Sequence, residues 1–342
     1  MRPSKLADWI RRLVLAAIMV GIFAALNVAV LEAGLRAYEH FVLKTPSQPA
    51  PASSGAVYQT SSNAGRVYEL TPNAHIVRDG LSIKINSIGM RDHEPPLYEE
   101  ISGKKVLVLG DSIAWGFGVP MDDAFPQLLE SALAGEANAR GEAHPVVYNS
   151  AVNGYSFRQQ VATLYDIGFH LKPDLIVVAY VLNDPATEQD GGLSRFFRKE
   201  LLLSRYVRVG RERMKELALG ASVPEEFHQR IHFVHKDEVR DGLSSIRDVA
   251  DTIGAQVIVL VCPLFKFRSN EPYPWRNIDE DLKSFSTELG FEFVDVWPQF
   301  AGLDSTAVEF DYLHPNSRGH RLIAIPLINA SKRILFDPAT EP

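Results

Sequence analysis

The 342-residue sequence contains a single cysteine, Cys262. That rules out an intrachain disulfide, a CxxC redox pair and any multi-cysteine zinc site. Cys262 closes the apolar run Val257–Val261, a setting for a buried strand residue rather than a nucleophile. A basic excess is missing too. Lys and Arg number 35 against 42 Asp and Glu, a net charge of −7. No surplus positive charge is on hand to neutralise phosphates, which argues against a nucleic-acid binder. Two hydrolase signatures are absent. No H-E-x-x-H is present to hold a catalytic zinc. No G-x-S-x-G elbow occurs at Ser112, where Ala114 replaces the last glycine, which disfavours an α/β-hydrolase. There is no internal repeat. What remains is an ordinary globular mix, 46% hydrophobic and 23% charged, long enough for one large domain or two small ones.

Charge is also missing from Leu13 to Leu31, where Asn27 is the only strongly polar residue. As a helix this run spans roughly 28 Å, close to the hydrocarbon thickness of a bilayer. Arg2, Lys5, Arg11 and Arg12 precede it and should stay cytoplasmic, sending the rest of the chain outside. The reading is a single-pass anchor (residues 1–44) through residues 13–31, in a bacterial inner membrane, with a periplasmic or extracellular body. A cleaved signal peptide is the alternative and exports the body equally. Residues 45–65, rich in Pro, Ser and Ala, read as a flexible linker. Residues 66–100 read as a small β preface. In it His75–Arg78 and Ser82–Asn86 alternate about Asp79-Gly80, as a hairpin does.

Residues 101–337 alternate strand and helix patterns, which predicts a parallel sheet covered on both faces. Expected strands are Val106–Leu109, Val146–Asn149, Leu175–Leu182, Val257–Val261 and Phe291–Val296. Helices are expected over about Ala124–Ala134, Phe157–Leu171 and Arg318–Leu335. Val161, Leu164, Tyr165 and Gly168 should share one face of the second, and Pro326 should kink or split the last. Residues 185–240 break the alternation and read as an insertion with two helices. Arg195, Arg198, Lys199, Arg205, Arg208, Arg211 and Arg213 make it locally basic. It is either a lid, a surface for anionic lipid or polymer, or a solvated helix face.

Four stretches follow strands or precede the last helix: Gly110-Asp111-Ser112, Asn149–Gly154, Leu182-Asn183-Asp184 and Asp311–Asn316. In a parallel sheet all four reach the carboxyl edge, around one crevice. Ser112 is a weak nucleophile until a base takes its proton. His314 is the candidate base. Asp311, three residues earlier, is placed to hold the imidazole tautomer. The Ser112 and Gly154 N–H groups and the Asn183 amide are candidate oxyanion donors. Singly, each has a plainer reading. Asp111 or Ser112 could cap a helix, Asn183 or Gly154 could serve a turn, and Asp184 reads as a turn acid. Asn316, Arg318 and His320 read as cap or packing residues of the last helix. Trp115, Phe265, Phe267, Tyr273 and Trp275 could stack on sugars or fill the core.

With these residues in place, residues 101–335 resemble the SGNH (GDSL-type) hydrolase superfamily. Its first block is matched by Gly110-Asp111-Ser112, its second-block glycine by Gly154, its third-block asparagine by Asn183 and its last block by Asp311 and His314. Val181 stands where the third block usually has glycine. The N-terminal span and Asn86-Ser87-Ile88-Gly89-Met90-Arg91-Asp92 look like those of bacterial membrane-anchored members. The resemblance implies a flavodoxin-like three-layer α/β/α fold, with catalytic Ser112, Asp311 and His314 and an oxyanion hole of Ser112, Gly154 and Asn183. It implies no metal and no organic cofactor. The expected function is an exported serine esterase acting through an acyl-enzyme on a glycan or lipid acyl ester. An O-acyltransferase with the same triad and a non-catalytic tethered scaffold are the alternatives. The family's breadth leaves the substrate open.

Overall fold

The computed structural model describes residues 57–78, 80–96, 101–185, 223–267 and 271–337, with scattered helical positions between 19 and 31. Its main sheet has five strands, numbered in chain order after four short ones. These are β5 (Lys105–Gly110), β6 (Val146–Asn149), β7 (Leu175–Val181), β8 (Gln256–Cys262) and β9 (Glu292–Asp295). All pairs are parallel, in the order β6-β5-β7-β8-β9. β6 and β7 are buried along their whole length, as Val, Ile and Leu on both faces of a strand require.

From residue 101 onward the described residues form helices α1 (Ser112–Trp115), α2 (Phe125–Arg140), α3 (Phe157–Leu171), α4 (Val223–Ile253), α5 (Arg276–Glu288) and α6 (Ser317–Phe336). The chain first steps from β5 outward to β6, then returns past β5 to β7. Right-handed crossovers taken in opposite directions cover opposite faces. Accordingly α2 packs against α6, while α3 meets α4, where Gly242 and Gly168 leave room for Phe157 and Val249. The reversal point lies between β5 and β7. A crevice opens there at the carboxyl ends.

Several expectations shift. The α3 face is centred on Phe157, Gln160, Leu164 and Gly168, and Tyr165 is exposed. Pro326 neither splits α6 nor ends it, and the helix runs from Ser317 to Phe336. In the insertion, α4 passes the expected boundary at 240 and continues to Ile253. The basic residues from Arg195 to Arg213 lie outside the described residues. So does most of Leu13–Leu31, and among the described residues no helix is long and apolar enough to cross a membrane. α5 was not among the expected helices, although Ile278, Leu282 and Phe285 recur at helical spacing and are buried on one face.

Two antiparallel strand pairs lie in and just ahead of the expected preface, the first beginning before residue 66. β1 (Tyr58–Thr60), within the expected linker, pairs with β2 (Tyr68–Leu70), and β3 (His75–Arg78) pairs with β4 (Leu81–Lys84). Residues 45–56 lie outside the described residues. The preface docks on the loop after β6. The Tyr68 hydroxyl donates to the Asn153 carbonyl at 3.0 Å, and Gln159 Nε2 donates to the Arg66 carbonyl at 2.8 Å.

Candidate active site

β5 ends at Gly110, where a side chain has no room. An added Cβ would sit 2.6 Å from the Ala114 Cβ. The chain turns at once into α1. Asp111 caps that helix, its Oδ1 accepting the Ile113 N–H at 3.0 Å. The plain cap reading of Asp111 is therefore correct, and Ser112 becomes the first residue of the helix, nearly buried at 7% exposure.

The last block is a tight loop before α6. The His314 carbonyl accepts the Phe310 N–H at 2.8 Å, and Asp311 Oδ1 accepts the N–H groups of Leu313 and His314 at 2.8 and 2.9 Å. Asn316 then caps α6, taking the Arg318 and Gly319 N–H groups. This places His314 Nδ1 at 2.8 and 2.9 Å from the two Asp311 oxygens. Its Nε2 lies 2.9 Å from Ser112 Oγ. With Asp311 on the Nδ1 side, Nδ1 carries the proton and Nε2 is left as an acceptor. Partial burial pushes the Asp311 carboxyl up. The bonds from His314 and the Leu313 N–H outweigh it and hold the group below the usual carboxylate range.

Asn183 follows β7 and donates from Nδ2 to Asp111 Oδ2 at 3.3 Å. The same oxygen lies 3.2 Å from Ser112 Oγ. A hydroxyl has one proton, so Asp111 competes with His314 for it, and the His314 contact is the shorter. Burial pushes Asp111 up, against bonds from Ile113, Asn183 and Ser112. Asp184 is fully buried. Burial and the Asp111 charge push its carboxyl well up, and its Oδ2 accepts the Val181 N–H at 2.9 Å. It closes a turn, as expected. Gly154 is exposed in the loop after β6 with φ +83°. An added Cβ would meet the Tyr68 hydroxyl at 3.0 Å.

The structure thus joins Ser112, His314 and Asp311 directly, and Asn183 through Asp111. Gly154 makes no side-chain link to them, and only its backbone could serve. The aromatic candidates belong to the core. Trp115, Phe265, Phe267, Tyr273 and Trp275 are all buried, so they offer no sugar platform. Two neighbours had no sequence signal, and a third, His320, takes the packing role read for it. The Phe117 ring lies on the His314 imidazole, centroids 4.3 Å apart. His228 of α4 hydrogen-bonds the Leu182 carbonyl beside Asn183. His320 is buried, and its Nδ1 accepts the Phe125 N–H at 3.3 Å.

Among the described residues, Asp92, His93 and Glu130 bring metal-ligand atoms within 4.8 Å of one another. Both Asp92 oxygens and one Glu130 oxygen already accept protein hydrogen bonds. Asp92 accepts from Gln127, Asn149 and the His93 N–H, and Glu130 from the Val147 N–H.

A family model described as "GDSL-like Lipase/Acylhydrolase family" matches residues 108–322. No curated protein matches the chain. Similar solved structures include TesA, 17% identical, with a TM-score of 0.45 over 68% of this chain and 100% of that one. Axe2, an acetylxylan esterase from Geobacillus stearothermophilus, is 20% identical, with a TM-score of 0.43 over 69% of this chain and 95% of that one. The psychrotrophic esterase EstA from Pseudoalteromonas sp. is 14% identical, with a TM-score of 0.40 over 67% and 97%.

Proposed function

Because the chain belongs to the GDSL-like lipase/acylhydrolase family and is an ester-hydrolysing enzyme, we propose that Ser112 is its nucleophile, His314 its general base and Asp311 the carboxylate that orients the base. The observation that carries this reading is the unbroken relay from Ser112 Oγ to His314 Nε2 and from Nδ1 to Asp311, at 2.9 and 2.8 Å.

The chemistry follows from that relay. Ser112 Oγ attacks the ester carbonyl carbon while its proton passes to His314 Nε2. The oxyanion is met by the N–H groups of Ser112 and Gly154 and by the Asn183 amide. Collapse breaks the ester C–O bond. His314 gives its proton to the departing alcohol, leaving an acyl-Ser112 ester. Water then attacks that ester, with His314 again taking the proton. The second collapse releases the acid and returns the proton to Ser112 Oγ. Asp311 stays ionised throughout and stabilises the imidazolium.

The acyl group is taken to be apolar. Phe310 and Tyr312, on either side of Asp311, are 58% and 50% exposed. Exposed rings flanking the carboxylate of the relay suit a hydrocarbon chain better than an acetyl group alone. Anchoring in a membrane through residues 13–31 and export of the catalytic body rest on the charge-free run and its basic flank.

The test is hydrolysis of p-nitrophenyl esters of graded chain length by the full chain in detergent. Ser112→Ala and His314→Ala should each lower kcat by about 10⁴- to 10⁶-fold. Turnover that survives Ser112→Ala would remove the assignment. Product that appears only with a sugar acceptor would make the enzyme an acyltransferase. Alkaline extraction of membranes tests the anchor, and release of the intact chain would sink it.

A further inference from the structure

Arg91 is 1% exposed, and it lies in the preface rather than in the hydrolase sheet. Its Nη1 donates to the carbonyls of Trp115 at 2.6 Å and Gly116 at 2.7 Å. Its Nη2 donates to the Val119 carbonyl at 2.8 Å. The guanidinium carbon lies 4.5 Å from the centre of the Trp115 ring. Burial pulls the Arg91 pKa down to about 10, so it remains a cation at neutral pH. A buried cation is costly unless it is answered. Here backbone carbonyls answer it, all of them in the turn that leaves the nucleophile helix.

The last carbonyls of any helix lack partners within the helix. Asn149 Nδ2 takes the Ala114 carbonyl at 2.9 Å, and Arg91 takes the next two. The turn they hold is Gly116-Phe117-Gly118. Both glycines have positive φ, +85° and +78°. The Gly116 and Phe117 N–H groups tie this turn back to the Ser112 carbonyl at 3.1 and 3.0 Å, while Arg91 holds its outward carbonyls. Phe117 is the ring that lies on His314, with planes 34° apart. It also meets Phe310 edge-on at 5.9 Å. Asp92, next to Arg91, accepts the Asn149 N–H at 2.8 Å and so ties the same stretch to β6.

We propose that Arg91 is a positioning residue for the hydrolysis reaction, fixing the 115–119 turn so that Phe117 holds the His314 imidazole in line with Ser112 Oγ. The preface is then part of the catalytic apparatus. The proposal rests on the hydrolase reading above.

The test uses the full chain with Arg91→Lys and Phe117→Leu, singly and combined. Lysine keeps the charge but cannot span three carbonyls. Each single variant should lower kcat about 10- to 100-fold with KM within about twofold, the scale expected when a catalytic group is misplaced by a fraction of an ångström to an ångström. The double variant should be no slower than the worse single one, because both changes act through one contact. Losses that multiply, or an unchanged kcat in Arg91→Lys, would overturn the proposal. The downfield proton signal of His314 Nδ1 gives a readout that needs no turnover. It should shift or broaden in Arg91→Lys, and also in Phe117→Leu, which leaves Arg91 in place should the lysine variant fail to fold. An unmoved signal in the folded variants overturns the positioning role. A moved signal in a chain without Ser112-dependent hydrolysis upholds the positioning and overturns the enzymatic reading instead.

Discussion

Asn183 has two amide hydrogens, and the fold occupies one of them with Asp111 Oδ2 at 3.3 Å. The other is left for an oxyanion. Asn183→Ala should therefore lower kcat by about 10²- to 10³-fold, the usual cost of one oxyanion donor, and should also cost about 1–3 kcal/mol of stability because buried Asp111 loses a donor. A loss in kcat below about tenfold would take Asn183 out of the oxyanion role. At this scale the cluster of Ser112, His314 and Asp311 was legible, because Asp311 and His314 form a short local motif and Gly110-Asp111-Ser112 ends an apolar run. The bond from Asn183 to Asp111 was not legible. It depends on β5 and β7 being neighbours, which residue spacing does not state. Phe117 and Arg91 were invisible as partners for the same reason. Arg91 lies more than twenty positions before the turn it holds and bears no chemical mark of that task.

The elements themselves were easier to read than their packing. β6 and α3 have the bounds that their apolar patterns predict. The sugar-stacking option failed because aromatic residues in a loop look alike whether they face solvent or a core. Phe267, Tyr273 and Trp297 in fact pack ring against ring, with Tyr273 and Trp297 stacked at 4.3 Å. α6 shows how an element can control the site without contributing chemistry. Gly319, in its first turn, lies so close to the triad loop that an added Cβ would stand 2.3 Å from the Val308 carbonyl oxygen and 2.7 Å from the Pro315 Cβ. Neither is a flexible side-chain end. Gly319→Ala should push the 308–315 loop away from α6, costing about 1–3 kcal/mol of stability and moving His314 off Ser112. Urea melts and p-nitrophenyl ester turnover check this together. Stability and activity both equal to those of the parent would show that the loop yields freely.

Across the whole molecule, the preface and α4 brace loops at the carboxyl edge of the sheet, and their buried polar groups make stability depend on pH. Burial pulls His228 down to about 4 despite its bond to the Leu182 carbonyl. Burial and the nearby charges of Arg91 and His314 pull His320 down to about 3. Unfolded imidazoles titrate near about 6.5. Below that pH the unfolded chain takes up protons that the folded chain refuses, so the histidines withdraw stability as pH falls. The buried acids act the other way. Asp279 is pushed up to about 7, by burial first and then by Asp295 and Glu280 against the pull of Arg276. Asp184 is also pushed well up. Their folded forms bind protons first, so these acids return stability as pH falls. The two sets oppose each other, and the net curve of the parent identifies neither. The difference between the parent and His228→Gln does. Glutamine can still donate to the Leu182 carbonyl but takes up no proton on unfolding. Relative to this variant, the parent should lose up to about 1.4 kcal/mol for each pH unit between about 6.5 and 4. Urea unfolding of both chains at pH 7, 6 and 5 measures the difference directly. A gap that stays constant over that range would show that His228 takes up its proton in the folded state as readily as in the unfolded one, and its bond to Leu182 would then have to form with a charged imidazole.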